Sequence, residues 1–349
     1  MILDWAFMIC GQRPLLSIDT SHPMEDSRQY RIETIKNASK GGNISLILTK
    51  DKAPNTDLLG EIPLFLSNVS EHYFENGLSV TGRLGNMKVN VNEHRVKIGD
   101  ASLCKYYLGD NLKQMSRSDV KNAFQKLSDE AHLPLSNAEI KSFEYGKNII
   151  TKHQPRTYFR YLGNKPHSNR FEQKNSLYYS QNSTQFIGYD KILEYKKGGG
   201  IVPILYQNCY LLRLEKRYQK NVARYFNCAS ITASMLYDEI FYTSIIKDWY
   251  NDYQKIHKIQ LIKIDFDMIN TVTKYKLLGV LELIKLQGGE LEAITNLNEA
   301  FKKGEITKKQ KHDLHQLIKE ATNNKLYTKQ SDEILELNQK VKESVLYYR

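Results

Sequence analysis

Residues 175–197 read NSLYYSQNSTQFIGYDKILEYKK, and this stretch decides how the middle of the chain folds. Two short aromatic runs flank the turn-forming residues QNST, which predicts a β-hairpin. The stretch contains four tyrosines. Either all of them pack inside an aromatic hairpin, or one of them is a nucleophile.

The length of the hairpin loop decides which tyrosine faces which side of the sheet. An even loop such as QNST pairs residue 178 with 187, so that Tyr179 shares a face with Asp190. An odd loop pairs residue 178 with 186 and turns Tyr178 to the Asp190 side instead. The pattern leaves both pairings open.

The rest of the chain alternates strand and helix patterns, which predicts an α+β fold with one antiparallel sheet and covering helices. We expect strands, or a strand pair, at SLIL (45–48), LSVTGRL (78–84), KVNVNEHRVKIG (88–99), SLCKYYLG (102–109), EIKSFEYGKNIIT (139–151) and NCYLLRLEKRYQ (208–219). Helices are expected at 116–133, capped by Ser116 or Ser118, and at 154–163, with Pro155 in the first turn.

Two later regions are predicted from glycines and from periodicity. ILEYKKGGGIVPILYQN (192–208) contains three consecutive glycines and is expected to be a mobile crossing. From Ala233 onward the apolar spacing becomes helical, with a long helix capped by Thr232, a second that stops at Gly288-Gly289, and two or three more. We therefore predict an α+β domain over 1–230 and a helical region over 231–349, which is an origin-binding or dimerisation module or a cover for the sheet.

The charge distribution predicts a polyanionic partner. The chain has 50 Lys and Arg against 39 Asp and Glu, a net charge of +11. Residues 141–224 alone contain 16 basic and five acidic residues, together with ten of the 23 tyrosines. Basic residues interleaved with aromatic rings suit a channel that follows phosphates while bases stack. A solvated basic surface is the alternative interpretation.

Several classes of protein are excluded by missing motifs. The nine histidines form no HExxH, and neither GxSxG nor GxxxxGK[ST] occurs, which removes the usual zinc hydrolases and P-loop ATPases. The cysteines at 10, 104, 209 and 228 have no CxxC spacing and are expected to be reduced. The start, MILDWAFMICGQ, has no basic leader, so we expect a first strand and a cytoplasmic protein without membrane spans.

Three acids lie on predicted strands flanked by apolar or aromatic residues: Glu144, Asp190 and Glu215. A carboxylate on a buried strand is costly unless it is paired with a cation or a metal ion. If these carboxylates converge, they form an oxygen-rich site for Mg²⁺ or Mn²⁺. Salt bridges to nearby Arg or Lys residues are the alternative for each of them.

A family resemblance adds to these residues. ASLCKYYLGDN (101–111), KSFEYGKNI (141–149), the opening hairpin and YLLRLEKRYQKNVARYFN (210–227) resemble phage and plasmid replication proteins of the gene II/X type. The match covers roughly residues 75–260. These proteins are similar to the rolling-circle initiators of small plasmids, which nick and rejoin DNA at an origin through a 5′-phosphotyrosyl intermediate.

The resemblance implies roles for individual residues. NSLYYSQ matches the nucleophile phrase with Tyr178 at the reactive position, and Tyr179 stays an alternative. Glu144 and Glu215 match the family's acidic metal positions, although Glu144 replaces the usual Asp and Ser142 the usual Arg. Double- and single-stranded origin DNA are the implied partners, with a host helicase, the replication machinery and a second copy of the chain as further ones.

Charge and position suggest the remaining roles. Lys191 is expected to steady the phosphate or the leaving oxygen. The residues expected to hold the DNA backbone are Arg170, Lys196, Lys197, Arg213, Lys216 and Arg217. A non-catalytic DNA-binding protein with a degenerate active site is the alternative function.

Overall fold

The computed structural model describes residues 44–262, 271–324 and 328–346. The expected N-terminal strand MILDWAFMICGQ, with Cys10, lies outside these ranges. The other three cysteines are free thiols. None of the helices in the described ranges is long and apolar enough to cross a bilayer.

Ten strands form a single antiparallel sheet, which confirms the predicted α+β class. In spatial order the strands are β2-β3-β4-β5-β1-β6-β10-β9-β8-β7. Their bounds are β1 Ile44–Thr49, β2 Ser67–Phe74, β3 Gly77–Leu84, β4 Met87–Asn92, β5 Arg95–Ala101, β6 Glu139–Thr151, β7 Asn169–Gln173, β8 Ser176–Ser180, β9 Thr184–Asp190 and β10 Tyr210–Tyr218. Two short strands, β11 Gln260–Ile262 and β12 Thr328–Gln330, pair separately.

Eleven α-helices lie in the described ranges. They are α1 Leu58–Glu61, α2 Leu103–Leu108, α3 Arg117–Ala131, α4 Pro155–Phe159, α5 Lys191–Lys197, α6 Val222–Tyr225, α7 Glu239–Lys255, α8 Val272–Leu286, α9 Glu290–Lys302, α10 Lys308–Thr322 and α11 Asp332–Leu346. The predicted cap of α3 is confirmed, because the Ser116 hydroxyl accepts from Asp119 N and the Asp119 carboxylate accepts from Ser116 N.

The two faces of the sheet differ in chemistry. On one side, which we call the core face, Leu46, Ile98 and Phe143 pack against Phe124 and Leu127 of α3. Further along the same face, Phe186 and Leu214 pack against Trp249 of α7, Tyr158 and Phe159 of α4, and Ile334 and Leu337 of α11. Strand side chains alternate, so the opposite side, the polar face, receives the intervening residues.

The C-terminal helices divide between two cores. Helices α7 and α11 cover the sheet, one of the three expected roles. Helices α8, α9 and α10 share a separate small core around Leu281, Ile284, Ala293 and Ala321. Origin binding or dimerisation by α8–α10, and a domain division at residue 230, stay predictions.

Three local predictions are wrong. SLCKYYLG is the helix α2 rather than a strand, because the Ser102 hydroxyl caps its first turn and Gly109, at φ 83°, ends it in the left-handed conformation. The first six residues of the expected mobile crossing, 192–197, belong to the helix α5. The long helix α7 is capped by Asp238, not Thr232, because a 3₁₀ turn at Ser234–Tyr237 precedes it.

Candidate active site

Glu144 and Glu215 meet on the polar face of neighbouring strands. In the β6–β10 ladder, Arg217 lies opposite Glu144 and Glu215 lies opposite Gly146, so all three charged side chains share one face. Arg217 Nε lies 2.9 Å from Glu144 Oε1 and 2.8 Å from Glu215 Oε1. A single guanidinium therefore bridges the two carboxylates.

Further donors hold the second oxygen of Glu215. Arg213 Nε lies 2.7 Å from Glu215 Oε2, and its Nη1 donates to Asn148 Oδ1 at 3.1 Å. The Tyr189 hydroxyl donates to the same Glu215 oxygen at 3.2 Å. The Glu215 side chain is only 1% exposed. This carboxylate is thus fixed from both sides inside a charged cluster.

The two glutamates differ in their affinity for a proton. Burial, together with the neighbouring Glu215 charge, raises the pKa of Glu144 well above its usual range. Burial alone would also raise the pKa of Glu215, but the Arg213 and Arg217 guanidiniums outweigh it and lower that pKa. Glu215 is therefore the more acidic group of the pair.

The glutamate pair does not fit a divalent cation as it stands. Carboxylate oxygens are suitable ligands for Mg²⁺ or Mn²⁺, but Arg217 lies between the two groups, where a cation would lie. Within residues 44–262, 271–324 and 328–346, no group of three or more His, Cys, Asp or Glu side chains is arranged to hold a metal ion. Dependence on Mg²⁺ or Mn²⁺ stays a prediction.

Tyr178 lies on the same polar face as the glutamates. It pairs with Ile187, which pairs in turn with Glu215. Two strand spacings, about 10 Å across the sheet, therefore separate the backbones of Tyr178 and Glu215. Its side chain is half-buried beside Phe171, at 6.3 Å between ring centroids. Its hydroxyl accepts a hydrogen bond from the Ser176 hydroxyl at 3.3 Å.

Tyr179 points to the core face and is 1% exposed. Its single hydroxyl hydrogen is shared between two carbonyl oxygens, that of Gly163 at 2.8 Å and that of Leu162 at 3.1 Å. Burial raises its pKa above the usual range. The hairpin has the even register, in which Tyr179 shares a face with Asp190 and Tyr178 shares one with Glu215. A core position does not suit a nucleophile.

Asp190 is not brought to the other two acids. It ends β9 opposite Leu212, on the core-face side, and its Oδ1 accepts from Leu193 N at 3.0 Å. The side chain therefore caps α5. An Asp at this position binds the first-turn N–H groups that would otherwise lack a partner.

The cap predicts how Asp190 responds to substitution. Asp190→Ala should lower the free energy of unfolding by about 1 kcal/mol, whereas Asp190→Asn should leave it nearly unchanged, because Asn caps equally well. Urea unfolding of both variants measures the difference. Equal losses in the two variants would mean that the negative charge, not the cap, is what stabilises this position.

Lys191 lies beside the cluster, at the first position of α5. Its side chain is 2% exposed, and its Nζ lies 2.6 Å from Glu194 Oε2 and 5.8 Å from the centre of the Tyr189 ring. Burial, and secondarily Arg213, lowers its pKa. A pocket opens here, lined by Glu144, Tyr189, Lys191 and Arg213 together with Lys113 and Gln114 from the loop after α2.

Of the residues predicted to bind DNA, some are exposed to solvent and others are already paired within the protein. Lys196 and Lys197 are exposed at the end of α5. Arg213 and Arg217 are engaged with the glutamates. Arg170 donates to the Leu162 and Phe159 carbonyls and pairs with Glu172.

Lys216 is not at the surface. It points to the core face, is fully buried, and lies 2.7 Å from Asp248 and 2.9 Å from Asp252 of α7. Because strand side chains alternate, Lys216 lies on the opposite side of the sheet from Arg213 and Arg217 and does not face a DNA surface. Its ion pairs connect the sheet to α7 instead.

Two participants of the cluster were absent from the predicted set, namely Tyr189 and Asn148. Tyr189 lies two residues after Ile187 on β9, so it shares a face with Glu215 once the register is known. The polar Asn148 lies four residues after Glu144 on β6 and shares its face. Burial, and secondarily Glu215, raises the pKa of Tyr189 well above its usual value, so this hydroxyl is a donor here and not a nucleophile.

Comparison with models of known protein families gives a match. A family model for the N-terminal part of the gene II replication-associated protein of phages matches residues 69–249. No curated protein matches the chain. The matched range runs from β2 into α7 and includes every residue of the glutamate cluster and both tyrosines. Because it covers just over half of the 349 residues, the chain belongs to the family of phage replication-associated proteins of the gene II type.

Proposed function

We propose that this replication-associated protein starts rolling-circle replication by nicking one strand of origin DNA and later rejoining it, with Tyr178 as the nucleophile. The Tyr178 oxygen forms a bond to phosphorus, and the bond from phosphorus to the 3′ oxygen breaks. The Tyr178 hydroxyl loses its proton to solvent as it attacks, and the leaving oxygen takes up a proton from solvent and becomes a free 3′ hydroxyl. The 5′ end stays on the protein as a phosphotyrosine, which conserves the energy for rejoining.

The observation that carries the proposal is the division of the tyrosine pair between the two faces. Tyr178 is half-buried on the face that holds Glu144, Glu215 and the two arginines, while Tyr179 is inside the core. A nucleophile has to be reachable by a substrate backbone, and only Tyr178 of the pair is.

The arginines supply positive charge on the same face. A phosphoryl group under attack accumulates negative charge on its non-bridging oxygens, and preorganised guanidinium groups stabilise that charge. Arg213 and Arg217 are preorganised by Glu215, which holds one Nε at each of its oxygens. In this proposal Glu215 is a positioning residue for both arginines.

The proposed chemistry also defines the partners. A free 3′ hydroxyl is a primer for a polymerase, and strand displacement from a nick needs a helicase. A host helicase and the replication machinery are therefore the proteins that we expect to follow this chain at the origin.

A covalent adduct is the direct test. The protein is incubated with supercoiled DNA that carries the origin of its element, separately with Mg²⁺, Mn²⁺ and a chelator. We expect a relaxed, nicked product and a peptide containing residues 175–190 that carries a nucleotide on Tyr178. An adduct on another residue would reject Tyr178, and the absence of any adduct in all three conditions would reject the nicking enzyme.

A second function has one observation in its favour. Arg217 pairs with both glutamates and Arg213 pairs with Glu215, so two guanidiniums balance the two carboxylates without any ligand. A DNA-binding replication protein that does not cut would have such a self-contained cluster. It predicts origin binding with no nicked product.

A further inference from the structure

The polar face continues past the glutamates to the other half of the sheet. Ser45 of β1 pairs with Ser142 of β6 on one side and with Gly99 of β5 on the other. Paired residues point to the same face, and so do residues two apart on one strand. Lys97, two residues from Gly99, therefore points to the same side as Glu144, two residues from Ser142.

This part of the polar face is basic. We call it the β3–β5 surface and define it by Arg83, Lys88, Arg95 and Lys97, all of them exposed. The intervening residues Val89, Val91, Val96 and Ile98 are buried in the core on the other side. Within the described residues, none of the four cations pairs with an acidic side chain.

Two of the cations are directly opposed. Arg83 lies opposite Lys88 in the β3–β4 ladder, and Lys88 lies opposite Gly99, next to Lys97 on the same face. Like charges opposite each other across a ladder destabilise a sheet. An anion bound between them removes that repulsion, so the arrangement suits a ligand with several negative charges.

The uncharged residues on this surface indicate the kind of anion. Between the cations lie Ser79, Thr81, Asn90 and Asn92, whose side chains donate hydrogen bonds. Lys, Arg, Ser, Thr and Asn are the side chains that contact phosphate oxygens of DNA. Strands β3, β4 and β5 contain no aromatic residue, whereas surfaces for single strands stack bases on aromatic rings.

The distance to Tyr178 also suits a duplex. Seven strand spacings separate β3 from β8 in the sheet order. At about 4.8 Å per spacing they span about 34 Å measured along the twisted sheet, close to the length of one helical turn of B-DNA. A duplex that follows the sheet across its strands would therefore contact the β3–β5 surface about one turn away from the phosphate at Tyr178.

We propose that the β3–β5 surface binds the phosphate backbone of the duplex that flanks the cleaved phosphate. This rests on the proposed function in one respect, that the duplex belongs to the origin. The surface lies outside the basic segment 141–224 and supplies a second, separate contact with DNA.

The test compares two variants of equal charge. The surface variant carries Arg83→Gln, Lys88→Gln, Arg95→Gln and Lys97→Gln. The control carries Lys105→Gln, Arg117→Gln, Lys121→Gln and Lys126→Gln, four exposed cations of α2 and α3, which pack on the core face. Binding to a 30-base-pair origin duplex and to a 30-nucleotide single strand is measured against salt concentration.

For the duplex, we expect the surface variant to reduce the slope of log K against log salt by about 3–4, because each lost phosphate contact removes about 0.9. Its duplex affinity at 0.15 M salt should fall on the order of 100-fold, with the control and the single strand little affected. Equal losses for surface and control variants, or for duplex and single strand, would overturn the proposal.

Two further measurements distinguish loss of DNA binding from misfolding, and the role of the surface from the nicking activity. Lys88→Glu alone should also weaken duplex binding, which guards against misfolding of the fourfold variant; unchanged binding by this variant would count against the surface. Adduct formation on a short single-stranded oligonucleotide should survive in the fourfold variant, because Tyr178 is intact. If the wild type forms no adduct, the proposed function fails, while the duplex-binding comparison still decides the role of the surface.

Discussion

Tyr178→Phe is expected to abolish nicking and the covalent adduct, with a loss of rate on the order of 10⁴-fold or more, because the attacking oxygen is removed. Phe keeps the ring beside Phe171 and removes only the hydroxyl, which accepts a single hydrogen bond from Ser176. The free energy of unfolding should therefore change little. Relaxation of supercoiled origin DNA and urea unfolding measure the two effects.

Tyr179→Phe is the matched control, since it removes the same atom from the adjacent residue. It should keep adduct formation but lower the free energy of unfolding by about 1–3 kcal/mol, because the buried Gly163 carbonyl loses its short hydrogen bond. If Tyr179→Phe abolished the adduct while Tyr178→Phe retained it, the assignment of the nucleophile would be reversed.

Lys216→Met is expected to have the largest effect on stability, lowering the free energy of unfolding by about 3–5 kcal/mol, because it removes the buried cation that Asp248 and Asp252 share. Lys216 Nζ lies within 3 Å of Asp248 and Asp252, and donates to the Tyr225 hydroxyl at 2.8 Å. Burial alone would lower the pKa of Lys216, but Asp252 and Asp248 outweigh it and raise that pKa. Lys165, 2.7 Å from Asp252, compensates only part of the lost charge.

The matched control for Lys216→Met is Lys196→Met at the exposed end of α5. It should reduce DNA affinity slightly and leave urea unfolding unchanged, since surface substitutions rarely alter stability by more than about 0.5 kcal/mol. If Lys216→Met unfolded at the wild-type urea concentration and lost DNA binding instead, Lys216 would be a DNA contact after all.

The sequence predicted what depends on local pattern. The α3 cap at Ser116, the strand over 139–151 and the hairpin at 175–190 follow from signals within a few residues of each other. The apolar residues of SLCKYYLG predict a strand, whereas the segment forms the helix α2. Ser102 as an N-cap and Gly109 as a helix end were the local signals for a helix.

The interior of the site depends on pairings between distant strands. Strand alternation within LRLEKRY already places Lys216 on the opposite face from Arg213 and Arg217. The prediction that all three bind DNA rested on the density of basic residues and did not apply this alternation. The bridge from Arg217 to Glu144 has no local signal, because it needs the register of two strands more than 60 residues apart. Likewise the β3–β5 surface emerges only when β5 is linked through β1 to β6.

The turn QNST, enclosed by the paired residues Ser180 and Gln185, has a consequence for relatives of this chain. Its length assigns one of two adjacent tyrosines to the solvent side and the other to the interior, and inserting or deleting one residue would exchange them. A change of two residues would preserve the assignment. We therefore expect natural variants of this loop to differ by even numbers of residues, or to have moved the reactive tyrosine by one position.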